Sequence, residues 1–342
     1  MTHELKKLVE SYNLALKESY KTVLATVVAL DGSSYRKPGV RMLIWENGRM
    51  EGAVSGGCVE KEVLRQTETV FKTGAPKIMT YDGRYRLGCE GVLYILLEPF
   101  SPSQKLISLF NENLEKRNSF EIISYYIKQE GEPNGIGSHI RFINEDIFYF
   151  SGINKEPSID IKTDIIAFNQ IMPPCFKLVI IGAEHDAVEL CLLASLSGWE
   201  VTVISSLSDP KTTKNFPGSK QVVPVSPEDI GSIPIDEQTA IVLMTHNFAR
   251  DLKFLVALKE SSPIYLGLLG ARDRKEKLMS QLLELHPEIN LEFLESIHGP
   301  AGLSIGAITP QEIAISIIAE ILSVQRLKKP TFSTNKMETL HS

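Results

Sequence analysis

Four consecutive apolar residues, Leu178-Val179-Ile180-Ile181, run directly into Gly182, and a helical pattern from about Asp186 to Leu196 follows and stops at Gly198. An unbroken apolar run, where a half-exposed sheet would alternate, marks a strand covered on both faces. The pattern then repeats. Val201 to Ile204, Ile241 to Met244 and Ile264 to Leu268 read as further buried strands, the last two each followed by a helical pattern. Strand and helix in alternation predict an α/β domain with a mainly parallel sheet and helices on both faces. Its last helix is marked by Thr309-Pro310-Gln311-Glu312, a capping box with proline at the first helical position. Ile313, Ala314, Ile317, Ile318 and Ile321 then line one face. Beyond about Gln325 the chain is polar, and residues 327–342 are expected to be a flexible tail.

The first half follows another plan. Leu5, Leu8, Val9, Tyr12 and Leu16 give the spacing of an opening helix over about residues 3–19. Strands are expected at Thr22 to Leu30, Val40 to Ile44 and Gly52 to Ser55, with Glu46-Asn47-Gly48 as a hairpin turn. A helix from Gly56-Gly57 to Gly74-Ala75-Pro76, strands at Lys77 to Tyr81 and Gly91 to Leu97, a helix over 101–117 and strands within 120–151 complete an α+β half. Residues 152–174 are polar and mixed and close on Met172-Pro173-Pro174. The expected division is therefore an α+β domain over 1–155, a linker over 156–174 and the α/β domain over 175–326.

At 342 residues the chain is long enough for two cores. With 36 Lys+Arg against 42 Asp+Glu, its charge of -6 offers nucleic acid and anionic membrane no general attraction. No apolar run reaches the ~18 residues of a membrane span, and Met1 to Lys7 lacks the apolar stretch of a signal peptide. Four cysteines are too few for a disulfide scaffold. A reduced, cytoplasmic protein is expected, and any anion site in it must be local.

In the α/β half, Gly182-Ala183-Glu184-His185-Asp186-Ala187 lies where a dinucleotide fingerprint belongs. The first glycine and the last alanine are in place. Glu184 occupies the middle position, however, where bulk and charge both oppose a pyrophosphate. Ser205-Ser206 stand where the ribose-binding acid is expected. NAD(P) is therefore not an expected ligand. His185 and His246 fall just past the carboxyl ends of strands, the edge at which open α/β sheets bind ligands, and Asp251 and Arg272 approach the same edge. Gly302-Leu303-Ser304-Ile305-Gly306 has the letters of a nucleophile elbow without its strand-turn-helix context, so it reads as a loop. No zinc-site or P-loop motif occurs, and no resident metal is expected.

In the α+β half, Gly32-Ser33-Ser34-Tyr35-Arg36-Lys37-Pro38-Gly39-Val40-Arg41 gathers three cations and two hydroxyls on a Gly/Pro-shaped loop, the groups that hold phosphate. Ser55-Gly56-Gly57-Cys58-Val59-Glu60 puts a thiol at the start of a helix, where unpaired N–H groups and the dipole favour a thiolate. A second thiol with flanking glycine follows in Gly88-Cys89-Glu90-Gly91. Cys175 and Cys191 read as packed residues.

Taken together these motifs resemble the XdhC/CoxI family, the accessory factors of xanthine dehydrogenase and related molybdenum hydroxylases. The likeness spans Gly32 to Met42, Gly52 to Glu60, Leu87-Gly88-Cys89 and Leu96-Leu97-Glu98-Pro99 in a CoxI-type domain. In a Rossmann-like domain it spans Ile181-Gly182-Ala183 with His185, Thr245-His246, Tyr265 to Arg272, and Gly302 to Ala314. The sequence departs from the family pattern at Tyr35, Glu90, Glu184 and Ser205. The resemblance implies a chaperone, not an enzyme in its own right. It would bind molybdenum cofactor transiently, assist sulfuration with a cysteine desulfurase, and insert the cofactor into a xanthine dehydrogenase-type apoenzyme, as a homodimer. The candidate cofactor-binding residues are Ser33, Ser34, Arg36, Arg41, Gly56, Gly57, Cys58, Glu60, Gly88, Cys89, Gly182, His185, His246 and Arg272. Cys58 and Cys89 are the candidate sulfur carriers or molybdenum ligands. Two other readings stand beside this one: an NAD(P)-dependent oxidoreductase, and a non-catalytic scaffold.

Overall fold

A computed structural model describes residues 1–34, 36–85, 91–143, 147–152 and 165–326, with Cys58 and Tyr85 described in their backbone only. The expected tail over 327–342, residues 156–164 of the linker and the motif residues Gly88 and Cys89 lie outside the described residues. The chain divides into two compact units, Met1–Cys175 and Phe176–Ser342.

In the first unit α1 (Thr2–Lys17), β1 (Thr22–Asp31), β2 (Arg41–Trp45), β3 (Met50–Gly52), α2 (Cys58–Thr73), β4 (Lys77–Asp82) and β5 (Val92–Pro99) come first. After them come α3 (Gln104–Glu115), β6 (Phe120–Tyr126), β7 (Gly137–Arg141), β8 (Ile147–Tyr149) and β9 (Ile166–Met172). Five strands form an antiparallel sheet in the order β3-β2-β1-β5-β4, and four form a second, β8-β7-β6-β9. The first sheet is buried on both sides. Val23, Ala25, Val27, Met42 and Ile44 pack with Val59, Val63 and Val70 of α2, while Leu24, Leu43 and Trp45 pack with Leu5, Leu8, Val9 and Tyr12 of α1. Burial on both faces explains why β1 reads as a solid apolar run. Each such side chain contributes roughly 1.5–3 kcal/mol on leaving water.

Two sequence boundaries are corrected here. The strand expected over Gly52 to Ser55 is the shorter Met50–Gly52, because Gly52 (φ +81°) turns the chain away where its Cβ would meet the Arg41 carbonyl at 2.8 Å. The expected linker contains a strand: β9 pairs antiparallel with β6 from Phe120↔Met172 to Tyr126↔Ile166. Only Gln170 and Met172 of β9 are buried, and Ile166 and Ile171 are exposed, so the strand shows no clean polar and apolar alternation.

The second unit holds β10 (Lys177–Ile181), α4 (His185–Leu196), β11 (Glu200–Ser205), β12 (Gln221–Pro224), β13 (Thr239–Leu243), α5 (Phe248–Leu258) and β14 (Tyr265–Leu268). It continues with α6 (Arg272–Leu285), α7 (Leu291–Ser296), β15 (Ile297–His298) and α8 (Pro310–Gln325). The sheet is parallel throughout, in the order β12-β11-β10-β13-β14-β15. That is the doubly wound order, with its switch point between β10 and β13. Strand parity sorts the core into two. Leu178 and Ile180 face α4 and α8, and Val179 and Ile181 face α5, α6 and α7. The capping box at Thr309 forms as expected, with Thr309 accepting from the Glu312 N–H and Glu312 from that of Thr309. Residues 302–306 are a loop outside helix or strand. No helix among the described residues is long and apolar enough to cross a membrane.

Candidate functional site

The antiparallel register of the five-stranded sheet brings the motifs of the first unit to one end. β1 ends at Asp31, opposite the start of β5 at Val92, and β4 ends at Asp82, opposite the same residue. β2 starts at Arg41 and β3 ends at Gly52, opposite Met42. The segments 32–40, 53–57 and 83–91 therefore leave the same sheet end. Contact confirms part of this, since a Cβ on Gly91 would lie 2.5 Å from the Ser33 carbonyl. Only glycine fits at position 91 so close to the basic loop. Gly83 N–H also donates to the Gly91 carbonyl at 3.0 Å.

Within this end Ser33 is exposed and Ser34 half-buried. The Arg36 guanidinium lies 3.8 Å from the Glu4 carboxylate, too loose a pair for a settled salt bridge. Its Nε is buried without a partner among the described residues. Lys37 is exposed.

Arg41, expected with Arg36 among the cofactor-binding residues, behaves otherwise. It opposes Thr26 on β1 and shares the face of Leu43 and Trp45, so parity turns it inward. It is 7% exposed. Its Nη1 donates to the Gly39 carbonyl at 3.0 Å and to Gln170 Oε1 at 2.7 Å, tying the end of the basic loop to β9. Burial lowers its pKa to about 10, against the opposing pull of Glu98 and Glu4. Burial likewise raises Glu98 to about 7, although Glu98 Oε2 accepts from the Ser138 N–H at 2.7 Å. Thr26 Oγ1, Arg41 Nε and Nη2, and Glu98 Oε1 are buried without partners among the described residues. The sequence reasoning assigned no role to Glu98; its signal was a carboxylate inside the apolar run Ile95-Leu96-Leu97-Glu98.

Cys58 is the first residue of α2. Gly57 precedes it at φ +120°, a conformation open to glycine. Gly56 is exposed, has no such φ, and a Cβ there would meet nothing within 4 Å. Nothing inside the described chain requires glycine at 56. Glu60, expected among the ligand contacts, is occupied internally: its carboxylate accepts from Ser55 N–H at 2.7 Å, Gly57 N–H at 2.7 Å and Ser55 Oγ at 3.3 Å. It shapes the glycine loop.

In the second unit the strand-end residues separate. Gly182 (φ +129°) is required by packing, since a Cβ would lie 2.3 Å from the Met244 carbonyl of the neighbouring chain segment. Glu184 and His185 are exposed at the start of α4, and the Glu184 side chain makes no cap. His246 Nε2 is 3.3 Å from Asp186 Oδ2, so these two loops meet at the switch point. Arg272 is 81% exposed and pairs along its own helix with Glu276 at 3.1 Å. Arg274 reaches the buried Asp251 instead, at 2.7 Å, and Thr245 Oγ1 donates to the other Asp251 oxygen at 2.6 Å. The sequence reasoning did not see this inner triad; its signal was an acid on the buried face of α5. Ser205 is buried with an unpartnered Oγ among the described residues, and Arg250 donates to its carbonyl at 3.2 Å.

Comparison with known proteins matches both units. Residues 15–82 match the XdhC and CoxI family and residues 178–321 the XdhC Rossmann domain, together well over half of the chain. A probable xanthine dehydrogenase subunit of Bacillus subtilis is 28% identical over 332 residues, covering 91% of this chain and 95% of the relative. The molybdenum cofactor insertion chaperone PaoD of Escherichia coli is 27% identical over 316 residues, covering 91% and 86%. A Bacillus halodurans crystal structure described as a xanthine dehydrogenase superposes with a TM-score of 0.75 at 26% identity, over 96% of this chain and 98% of that one. With its α+β and Rossmann halves matched in order, the chain belongs to the XdhC and CoxI family.

Proposed function

We propose that this protein binds molybdenum cofactor at the loop end of its five-stranded sheet and hands it to a xanthine dehydrogenase-type apoenzyme. The observation that carries this reading is the convergence of a loose cation, an open glycine backbone and a thiol-bearing helix start on one sheet end. Arg36, Lys37, Ser33 and Ser34 suit the phosphate of a molybdopterin. Gly56 and Gly57 leave backbone open to its ring system, and Cys58 meets its sulfur or molybdenum. Sulfuration by a cysteine desulfurase, with Cys58 or Cys89 as carrier, belongs to the same proposal, as do transient binding, a homodimer and a cytoplasmic location. The names of the two curated relatives support the cofactor and its client enzyme.

The test is to purify the protein from cells that make molybdenum cofactor and assay the released pterin, with Cys58→Ser alongside. Stoichiometric pterin from the wild type, lost in the variant, is expected. A pterin-free wild-type protein would refute the reading. The second unit enters this proposal as a scaffold, because Glu184 stands where a pyrophosphate would approach.

A further inference from the structure

The opposite end of the same sheet carries a feature that the cofactor reading does not use. The C-terminal ends of α1 and α2, the start of β1 and the end of β5 border an open cavity of about 630 Å³ within the first unit. The size suits a small organic ligand. The 16 residues of α2, about 24 Å of helix, separate it from Cys58.

Its lining is aromatic and cationic. Tyr12, Tyr20, Phe71 and Phe100 contribute rings, with Tyr12 set edge-on to Phe100 at 5.3 Å. Tyr12 is 7% exposed, and its hydroxyl has no hydrogen-bond partner among the described residues. Burial alone raises its pKa. The hydroxyl still reaches solvent in the cavity it lines, where it is free to hydrogen-bond a ligand. Lys21 and Lys72 also line the cavity, with no ion-pair partner among the described residues, and no carboxylate lines it. Lys72 stands in the last turn of α2 and complements the helix dipole. Lys21 lies outside any helix, so that explanation does not extend to it.

We propose that this cavity is a second binding site, for a small planar heteroaromatic anion. The rings stack on its faces or edges, Lys21 and Lys72 hold its negative group, and the Tyr12 hydroxyl pairs with a ring nitrogen or oxygen. The site stands independently of the cofactor proposal.

Calorimetry on the full chain tests it, with quinoline-2-carboxylate and pterin-6-carboxylate as probes and quinoline-2-carboxamide as the uncharged control. Saturable binding of at least one acid is expected, about tenfold weaker for the amide. Lys21→Met with Lys72→Met should weaken the acid about tenfold and remove its salt dependence. Tyr12→Phe, which deletes one oxygen from a packed ring, should weaken it severalfold with an unchanged circular dichroism spectrum. Arg65→Ala, on the exposed face of α2 and outside the cavity, should leave the affinity as it is. No saturable heat from either acid at millimolar concentration would overturn the proposal. Equal affinity for acid and amide, or an unaffected double variant, would do so as well.

Discussion

Arg36 and Arg41 are five residues apart and have opposite tasks. Arg36 sits 3.8 Å from a half-exposed Glu4, so an incoming phosphate displaces a weak partner at little cost. Arg41 is locked inside, on Gly39 and Gln170. Arg36→Ala with Lys37→Ala is therefore expected to lower cofactor retention about tenfold at unchanged stability. Arg41→Ala is expected to lose about 2–3 kcal/mol of stability, as judged by urea unfolding, because it orphans a buried amide and carbonyl. A destabilised Arg36 variant, or an Arg41 variant with native stability and impaired binding, would reverse these assignments. Cys58 presents a contest of charges. The α2 start favours its thiolate, while the Glu60 carboxylate, held at Gly57 N–H, opposes it. The alkylation rate of Cys58 should titrate below the ~8.5 of a free thiol. Glu60→Gln should lower that midpoint further, since it removes a like charge. An upward shift would show that loop disorder, not charge, governs the thiol.

At the level of elements, strands covered on both faces were readable and strands with a mixed face were not. β1 and β10 announce themselves as apolar runs, and the glycine turn after β10 fixes where its helix begins. β9 exposes apolar as well as polar residues, β12 is half-buried, and β15 has two residues. None offers a period long enough to detect. The candidate site divides in the same way. Its glycines and Cys58 were legible as a motif, whereas the inward turn of Arg41 depends on pairing register, which the sequence does not display. Glu98, buried on the same face of the sheet, makes a testable element-level property. Its folded pKa is raised from the model-peptide 4.5 to about 7, so between those values the folded state holds a proton that the unfolded chain has released. The contribution of Glu98 to stability should then fall as pH rises through that window, by on the order of 3 kcal/mol in all. Glu98→Gln should flatten this slope. A wild-type pH dependence between 4.5 and 7 that Glu98→Gln leaves unchanged would contradict the assignment.

For the molecule as a whole, the decisive fact is that each unit has hydrophobic clusters of its own among the described residues. Three clusters lie within the first unit and two within the second. Each unit thus has its own apolar core, and the antiparallel sheets of one share no pairing with the parallel sheet of the other. Separately expressed fragments 1–175 and 176–342 are expected to fold, each with a single cooperative urea transition. The loop end that gathers Arg36, Gly56 and Cys58 lies wholly in the first fragment, so cofactor binding should follow that fragment at close to full-length affinity. The second fragment has the strand order of a dinucleotide-binding sheet. Its Gly182, however, is explained by packing against Met244, and Glu184 projects into solvent where phosphate charge would accumulate. Calorimetry should accordingly find no micromolar binding of NAD or NADP to this fragment. Glu184→Gly, by removing bulk and charge together, should gain affinity if that side chain is the obstacle. Micromolar NAD binding by the unaltered second fragment, or cofactor retention that requires both fragments together, would end this division of labour.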